Sequence, residues 1–346
     1  MLQFSPLTNR LRRLLHRPQP EFFDRATESW EVAPACEIDF PAAVMLPGQL
    51  ERIRRTEFGS LDVVRAMLLG DLDPRIGPTL AYRFRDVDCV DGVVYSGGAE
   101  FHLRARRTRV PAYRRPVVSI SGSMYESWLG NRWFGNWLTD DCDTYQLAAE
   151  VGRPVTTATE LSGHVARYEV LHGMTPHRIG DAHFTELVLF DNMQNNEGRI
   201  ARAAARRAQL VGGLDTEPGP GVFLLRGQTG DRRLLLNELA LAEHLERRHG
   251  FRVMSPADET VDDLIAVCAR ARIVVGVEGS QLTHALVAMP KGGALLTIQP
   301  PERVTAALKL VCDRMELRFG AVIAEGGVDT FSVDVEEVER TLDLLA

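Results

Sequence analysis

Residues 271–299 read ARIVVGVEGSQLTHALVAMPKGGALLTIQ. The apolar or small run from Ile273 to Gly276, led by Ala271, has no polar alternation, which marks a strand buried on both faces. Gly276 and Gly279 then permit a close-approaching turn, and Ser280 is placed to cap it. Gln281 to Met289 carries Leu282, Ala285, Leu286 and Met289 at helical spacing, so a helix is expected there. After Pro290 and the Gly292-Gly293 stop, Ala294 to Ile298 reads as the next strand. A strand that opens a helix through a small-residue turn aims backbone N–H groups at the carboxyl edge of a sheet, where an anion is stabilised.

The alternation extends in both directions from this stretch. Upstream, Val222 to Leu225 reads as a strand and Leu234 to Arg248 as a helix, with Leu235, Leu239, Ala242 and Leu245 on one face and Gly250 closing it. Arg252 to Met254 is a strand, and Val261, Leu264, Ile265 and Cys268 align on a helix. Downstream, helix Arg303 to Met315, strand Ala321 to Ile323 and helix Val335 to Leu345 complete five strands and five helices, the pattern of a doubly wound parallel sheet. Ligands of such a sheet bind outside the carboxyl ends of its strands. That rule selects Arg226, Ser255 to Asp258, Glu278 to Gln281 and Gln299 to Glu302. Arg226, Arg232 and Arg233 suit a phosphate at this edge, and Asn237 or Glu238 a ribose or sugar hydroxyl.

The glycine- and proline-rich stretch Val211 to Gly221 marks the clearest boundary, giving a basic segment over 1–20, an α/β domain over 21–212 and a Rossmann-like domain over 213–346. The middle part is less regular. Ala42 to Met45, Thr79 to Phe84, Gly92 to Tyr95, Val117 to Ile120, Tyr168 to Leu171 and Leu187 to Phe190 read as strands, and Ser60 to Leu69 and Glu197 to Leu210 as helices. Trp128, Trp133, Phe134, Trp137 and Tyr145 crowd the start of a helix that runs to Gly152, with Asp140, Asp141 and Asp143 expected in its solvated first turns.

Composition narrows the function classes. The chain has 346 residues, 45% hydrophobic and 25% charged, with a net charge of -7 that argues against a nucleic-acid partner. Five widely spaced cysteines suggest neither a disulfide framework nor a zinc site, and fit a reducing compartment. With no run of apolar residues long enough to span a bilayer and no signal-peptide core, a cytoplasmic protein is expected. In LTNRLRRLLHR, residues 7–17, Leu7, Leu11, Leu14 and Leu15 share a helical face opposite Arg10, Arg13 and Arg17. This helix suits either packing on its own protein or peripheral contact with the inner face of an anionic membrane. RGQTG after the first strand lacks the G-x-G-x-x-G of dinucleotide sites, which argues against NAD. EGSQL and SGSMY lack the G-x-S-x-G of a hydrolase elbow, and His172, His177 and His183 do not have chelating spacing, so no metal is expected.

Three blocks in order, NRWFGNWLTDD (131–141), RGQTGDRRLLLNE (226–238) and the long block 250–296 around GVEGSQLT, resemble the family 61 glycosyltransferases over roughly Ser127 to Ile298. Phe134, Gly135, Trp137, Leu138 and Asp140 match the first family pattern, and Arg226, Arg233, Asn237 and Glu238 the second. Gly276, Gly279, Leu282 and Thr283 match the third. Asn136 stands where that family usually has His, and Glu278 and Ser280 replace a His and an Ala.

The resemblance implies a GT-B-like fold of two Rossmann-like domains facing a cleft, and transfer of a sugar from a nucleotide sugar to an acceptor hydroxyl with inversion. The acceptor it implies is a glycan or a lipid-linked glycan, in polysaccharide or glycoconjugate assembly. Asp140 is the first candidate base and Glu278 the second. Arg226, Arg233, Asn237, Glu238, Gly279, Ser280, Gln281 and Thr283 are expected on the donor and Asn136 and Trp137 on the acceptor, with no cofactor beyond the donor. The replaced histidines leave open a protein of the same fold that binds nucleotide or scaffolds assembly without turnover.

Overall fold

The computed structural model describes every residue except Met1, Arg109, Thr159, Ser162, 215–216 and 228–232. Arg232, one of the expected phosphate-site arginines, therefore lies outside the described residues. The chain divides into two compact units: Met1–Cys36 with Gly77–Arg202, and Glu37–Ile76 with Ala203–Ala346.

The first unit contains helix α1 (Ser5–Leu14) and strands β1 (Glu28–Ala33), β2 (Thr79–Val90), β3 (Val93–Ser96), β4 (Ala99–His102), β5 (Ser119–Met124), β6 (Pro154–Thr156), β7 (His177–Arg178) and β8 (Ala182–Asp191). They form one mixed sheet in the order β7-β6-β5-β8-β2-β3-β4, with β1 also paired to β2. β7, β6, β5 and β8 run parallel, whereas β8, β2, β3 and β4 form an antiparallel run. Phe84, Val87, Phe184 and Leu187 fill its core. Tyr168 to Leu171, expected as a strand, belongs instead to a helix, Val165–Leu171. Its aromatic and β-branched residues mimic a strand, but Tyr168 is fully buried against Phe134, and that tertiary packing overrides local propensity.

The second unit begins with helix α2 (Leu61–Leu69), which the Ser60 side chain caps by accepting from the Val63 N–H. Gly70 ends it at φ 73°, where an added Cβ would lie 2.2 Å from the Phe40 carbonyl oxygen. The regular part follows as β9 (Val222–Leu224), β10 (Arg252–Met254), β11 (Ile273–Val277), β12 (Ala294–Gln299) and β13 (Arg318–Ile323). All neighbours are parallel, in the order β10-β9-β11-β12-β13, so the expected doubly wound sheet is present. Helices Glu238–His249 and Val335–Leu345 pack Leu241, Leu245, Val338 and Leu342 onto Phe223, Val275, Leu296 and Val322. Burial on both faces explains the uninterrupted apolar or small-residue runs of β9 and β11.

Some local expectations change here. Leu234–Leu235 is not a helix start but a short strand paired with Thr330–Phe331, and Leu239 faces solvent while Leu241, Ala242 and Leu245 face the core. The helix expected over Gln281 to Met289 contracts to a 3-10 turn, Ser280–Leu282, and one α-turn, Thr283–Leu286. Ala42 to Met45 forms no strand; only Val44 pairs, with Gly320, and it covers the outer edge of β13.

Candidate functional site

In a 2-1-3-4-5 sheet the connections leave β9 and β11 in opposite directions, and the crevice between their carboxyl ends is the topological switch point. Arg226 follows β9 and Gly279 follows β11, so the fold brings these two positions to that point. The Arg226 side chain turns toward the glycine: a Cβ on Gly279 would lie 2.1 Å from Arg226 Nη1 and 2.4 Å from Gln281 Oε1. Only a residue without a side chain leaves room for that guanidinium. Arg226 Nη1 donates to Gln281 Oε1 at 3.2 Å, and the arginine is 7% exposed. Gly276 serves packing instead, since a Cβ there would meet Leu224 O at 2.7 Å and Leu282 Cδ2 at 2.8 Å.

The second block fixes this loop from behind. Glu238 opens helix Glu238–His249, and its carboxylate accepts from the Arg226 N–H at 2.8 Å and the Gly227 N–H at 3.0 Å. Burial pushes the Glu238 carboxyl up, against the two N–H groups and the Arg226 charge that favour its ionised form. Asn237 donates to the Val333 carbonyl at 2.8 Å and accepts from the Val333 N–H at 3.2 Å, fastening the helix start to strand Thr330–Ser332. Ser280 and Thr283 are joined by a 2.6 Å bond from Thr283 Oγ1 to Ser280 O. Glu278, the carboxylate that opens the turn, is buried and bonded to Arg233, with Arg303 Nη1 3.7 Å away.

Arg303 also donates to Glu57 Oε1 at 2.9 Å, giving a ladder Arg233, Glu278, Arg303, Glu57 along the carboxyl edge. Sequence reasoning missed both Arg303 and Glu57. Glu57 comes from the segment Glu37–Ile76, where Thr56 pairs with Val304 and the Arg54 and Arg55 N–H groups bond Pro301 O. No local pattern in that segment announces its place beside a sheet built some 200 residues later. The two guanidinium groups offset the charge of Glu278, which would otherwise repel an anion at this turn.

The first unit assembles the other expected residues. Trp137–Asp141 forms a π-helical turn ahead of helix Cys142–Val151, a local irregularity frequent at functional sites. Asn136 Nδ2 donates to Asp140 Oδ2 at 2.8 Å, and Arg199, from helix Glu197–Val211, donates to Asp140 Oδ1. Trp137 stacks on Phe134. Asp141 and Asp143, expected as solvated helix-start carboxylates, are instead buried. Asp141 accepts from the Ser127 N–H at 3.2 Å and Oγ at 2.7 Å and packs where a Cβ on Gly130 would stand; burial pushes its carboxyl well up despite those bonds. Asp143 lies 3.7 Å from the buried Arg199. The acidic triplet is thus held not by solvent but by Asn136 one turn away and by Ser127 and Arg199 farther along the chain.

Among the described residues no group of three or more His, Cys, Asp or Glu side chains is arranged to hold a metal ion. His183 pairs with Asp88 at 2.8 Å, His177 with Arg153 at 3.0 Å, and His172 stacks on Tyr168. Arranged this way, the second unit can bind an anion at a guanidinium over a glycine, and the first presents a hydrogen-bonded carboxylate beside an aromatic cluster.

Compared with known proteins, the chain matches the family model described as Glycosyltransferase 61 over residues 38–296, a span that takes in parts of both units. No curated protein matches it.

Proposed function

This chain belongs to the glycosyltransferase 61 family, and we propose that it moves a sugar from a nucleotide-sugar donor to an acceptor hydroxyl, with inversion, in the assembly of a polysaccharide or glycoconjugate. The observation that carries the reading is the Arg226 guanidinium lying over Gly279 at the switch point of the parallel sheet. In this reading the donor diphosphate meets Arg226 and the backbone of Gly279 and Ser280. The short turn at Ser280–Leu282 supplies little dipole, so the guanidinium supplies most of the stabilisation of the departing nucleoside diphosphate. Gln281 holds that guanidinium, Glu238 holds its backbone, and Asn237 holds the helix that carries Glu238.

The GT-B reading enters as a division of labour, with donor on the second unit and acceptor on the first. Asp140 takes the hydroxyl proton, with Asn136 and Arg199 orienting its two oxygens, and Trp137 contributes to the acceptor side. Glu278 is less suited to act as the base, because two guanidinium groups, Arg233 and Arg303, lower its basicity where Asp140 meets one, Arg199. It serves instead as the counter-charge that keeps both guanidinium groups at the sheet edge. A second reading, nucleotide binding without turnover, is favoured by the two replaced histidines: Asn136, where the family usually has His, can hydrogen-bond but cannot take a proton, and Glu278 replaces the other.

Titration with nucleoside diphosphates, followed by a search for slow donor hydrolysis, tests both readings. Binding that Arg226→Ala weakens at least about tenfold, together with donor hydrolysis, supports the transferase. Binding without hydrolysis of any donor supports the second reading, and absence of binding overturns both.

A further inference from the structure

Helix α1 is amphipathic in the inverted sense: it packs on its own unit through its polar side and displays its leucines. At 100° per residue Phe4, Leu7, Leu11, Leu14 and Leu15 fall within an arc of about 100°. All five are exposed, Leu14 at 67% and Leu15 at 63%. The opposite side holds the helix down. Pro6 is buried, Asn9 is 0% exposed and donates to Glu100 Oε2 at 3.1 Å, and Arg13 pairs with Glu100. The Leu7 N–H bonds the Pro111 carbonyl at 3.0 Å, next to a further exposed apolar residue, Val110. Burying leucines against their own protein is the ordinary use of such a helix, and here the fold does the reverse.

The charge around the leucines selects the occupant. Arg10 borders the apolar arc and is exposed, Arg17 follows the end of the helix and is exposed, and Arg114 stands beside exposed Leu2 through the pairing Leu2↔Arg114. Residues 1–20 contain Arg10, Arg12, Arg13 and Arg17 and no acidic residue, in a chain of net charge -7. Below the helix, a groove of about 640 Å³ is lined by Arg10, Arg13, Arg106, Leu7, Leu14 and Trp128. It combines guanidinium groups with an indole, the pairing favoured where headgroups meet acyl chains. No helix among the described residues is long and apolar enough to cross a membrane, so the contact is with a surface.

We propose that α1, with Leu2, Phe4 and Val110, is a docking face for an anionic lipid bilayer, into whose interface the leucines insert while Arg10, Arg17 and Arg114 meet lipid phosphates. The proposal stands independently of the transferase reading. Flotation of the full chain with vesicles tests it, using pure phosphatidylcholine against phosphatidylcholine with about a third phosphatidylglycerol. The expected result is binding to the anionic vesicles that weakens as salt rises. Arg10→Ala with Arg17→Ala should weaken it on the order of thirtyfold, and Leu11→Glu with Leu14→Glu should abolish it while leaving the thermal transition unchanged. Binding absent from anionic vesicles, or insensitive to the leucine pair, overturns the proposal. So does a concentration-dependent dimer in light scattering that the leucine substitutions dissolve, since a second copy would then be the occupant.

Discussion

Replacing Gly279 by Ala probes the proposed phosphate site through one methyl group. The new Cβ would sit 2.1 Å from Arg226 Nη1 and 2.4 Å from Gln281 Oε1, so the guanidinium and the amide that holds it must both move. Overpacking of this kind costs about 1–3 kcal/mol of stability. The loss of function should be larger than that of a structural nudge. A hydrogen bond to a charged group is worth about 1.5–3 kcal/mol, so displacing Arg226 from a diphosphate should weaken binding roughly 10- to 150-fold. Calorimetric titration of Gly279→Ala, Arg226→Ala and the double variant with the best-binding nucleoside diphosphate forms a cycle. Once the arginine is truncated the methyl meets no guanidinium, so the double variant should bind about as weakly as Arg226→Ala alone. If Gly279→Ala binds within twofold of wild type, or if the two losses add, Arg226 does not read the ligand from this position and the reasoning fails.

Further outcomes follow from the two units. Asp140→Asn keeps a hydrogen-bonding group beside Asn136 but removes the proposed base, so kcat should fall about 10²- to 10⁴-fold with donor KM unchanged in initial-rate assays; an unaltered kcat would exclude Asp140. Glu278→Gln leaves Arg233 and Arg303 facing an uncharged side chain, and denaturant unfolding should show a loss of roughly 2–3 kcal/mol, with nucleotide affinity equal to or above wild type. Affinity lost as completely as in Arg226→Ala would instead make Glu278 a ligand contact. The tether of α1 should respond to acid. Burial works against ionising Glu100, but His102, Asn9, Arg106 and Arg13 outweigh it and lower its pKa from 4.5 to about 2. A depressed carboxylate stabilises fully above its ordinary value, so hydrogen-exchange protection of Ser5–Leu14 should decline as pH falls from 4.5 towards 2. Glu100→Gln should show the weaker protection already at neutral pH, and protection unaffected by either change would remove Glu100 as the anchor.

The second unit is largely legible in the sequence because its central strands are buried on both faces and mostly apolar, as in Ile273–Val277 and in Ala294–Gln299, where only Thr297 and Gln299 are polar. Val335–Leu345 is readable to the residue, with Asp334 capping it. Arg226 and Gly279 emerge from one general rule, that ligands gather at the carboxyl edge. What sequence does not convey is long-range pairing. Val44 covers β13 and Glu57 meets Arg303 across separations that no local pattern encodes. Likewise Asp141 and Asp143 look like surface carboxylates because Ser127, Gly130 and Arg199, which surround them, lie outside any helical window. The first unit is harder because a sheet with parallel and antiparallel halves gives no single periodicity to follow.

Release of nucleoside diphosphate from a panel of sugar nucleotides, measured for wild type and Arg226→Ala side by side, bears most directly on the proposed function. Slow release from at least one donor by wild type, lost in the variant, is the predicted result. Equal release by both proteins would contradict the assignment of the donor diphosphate to the Arg226 and Gly279 turn.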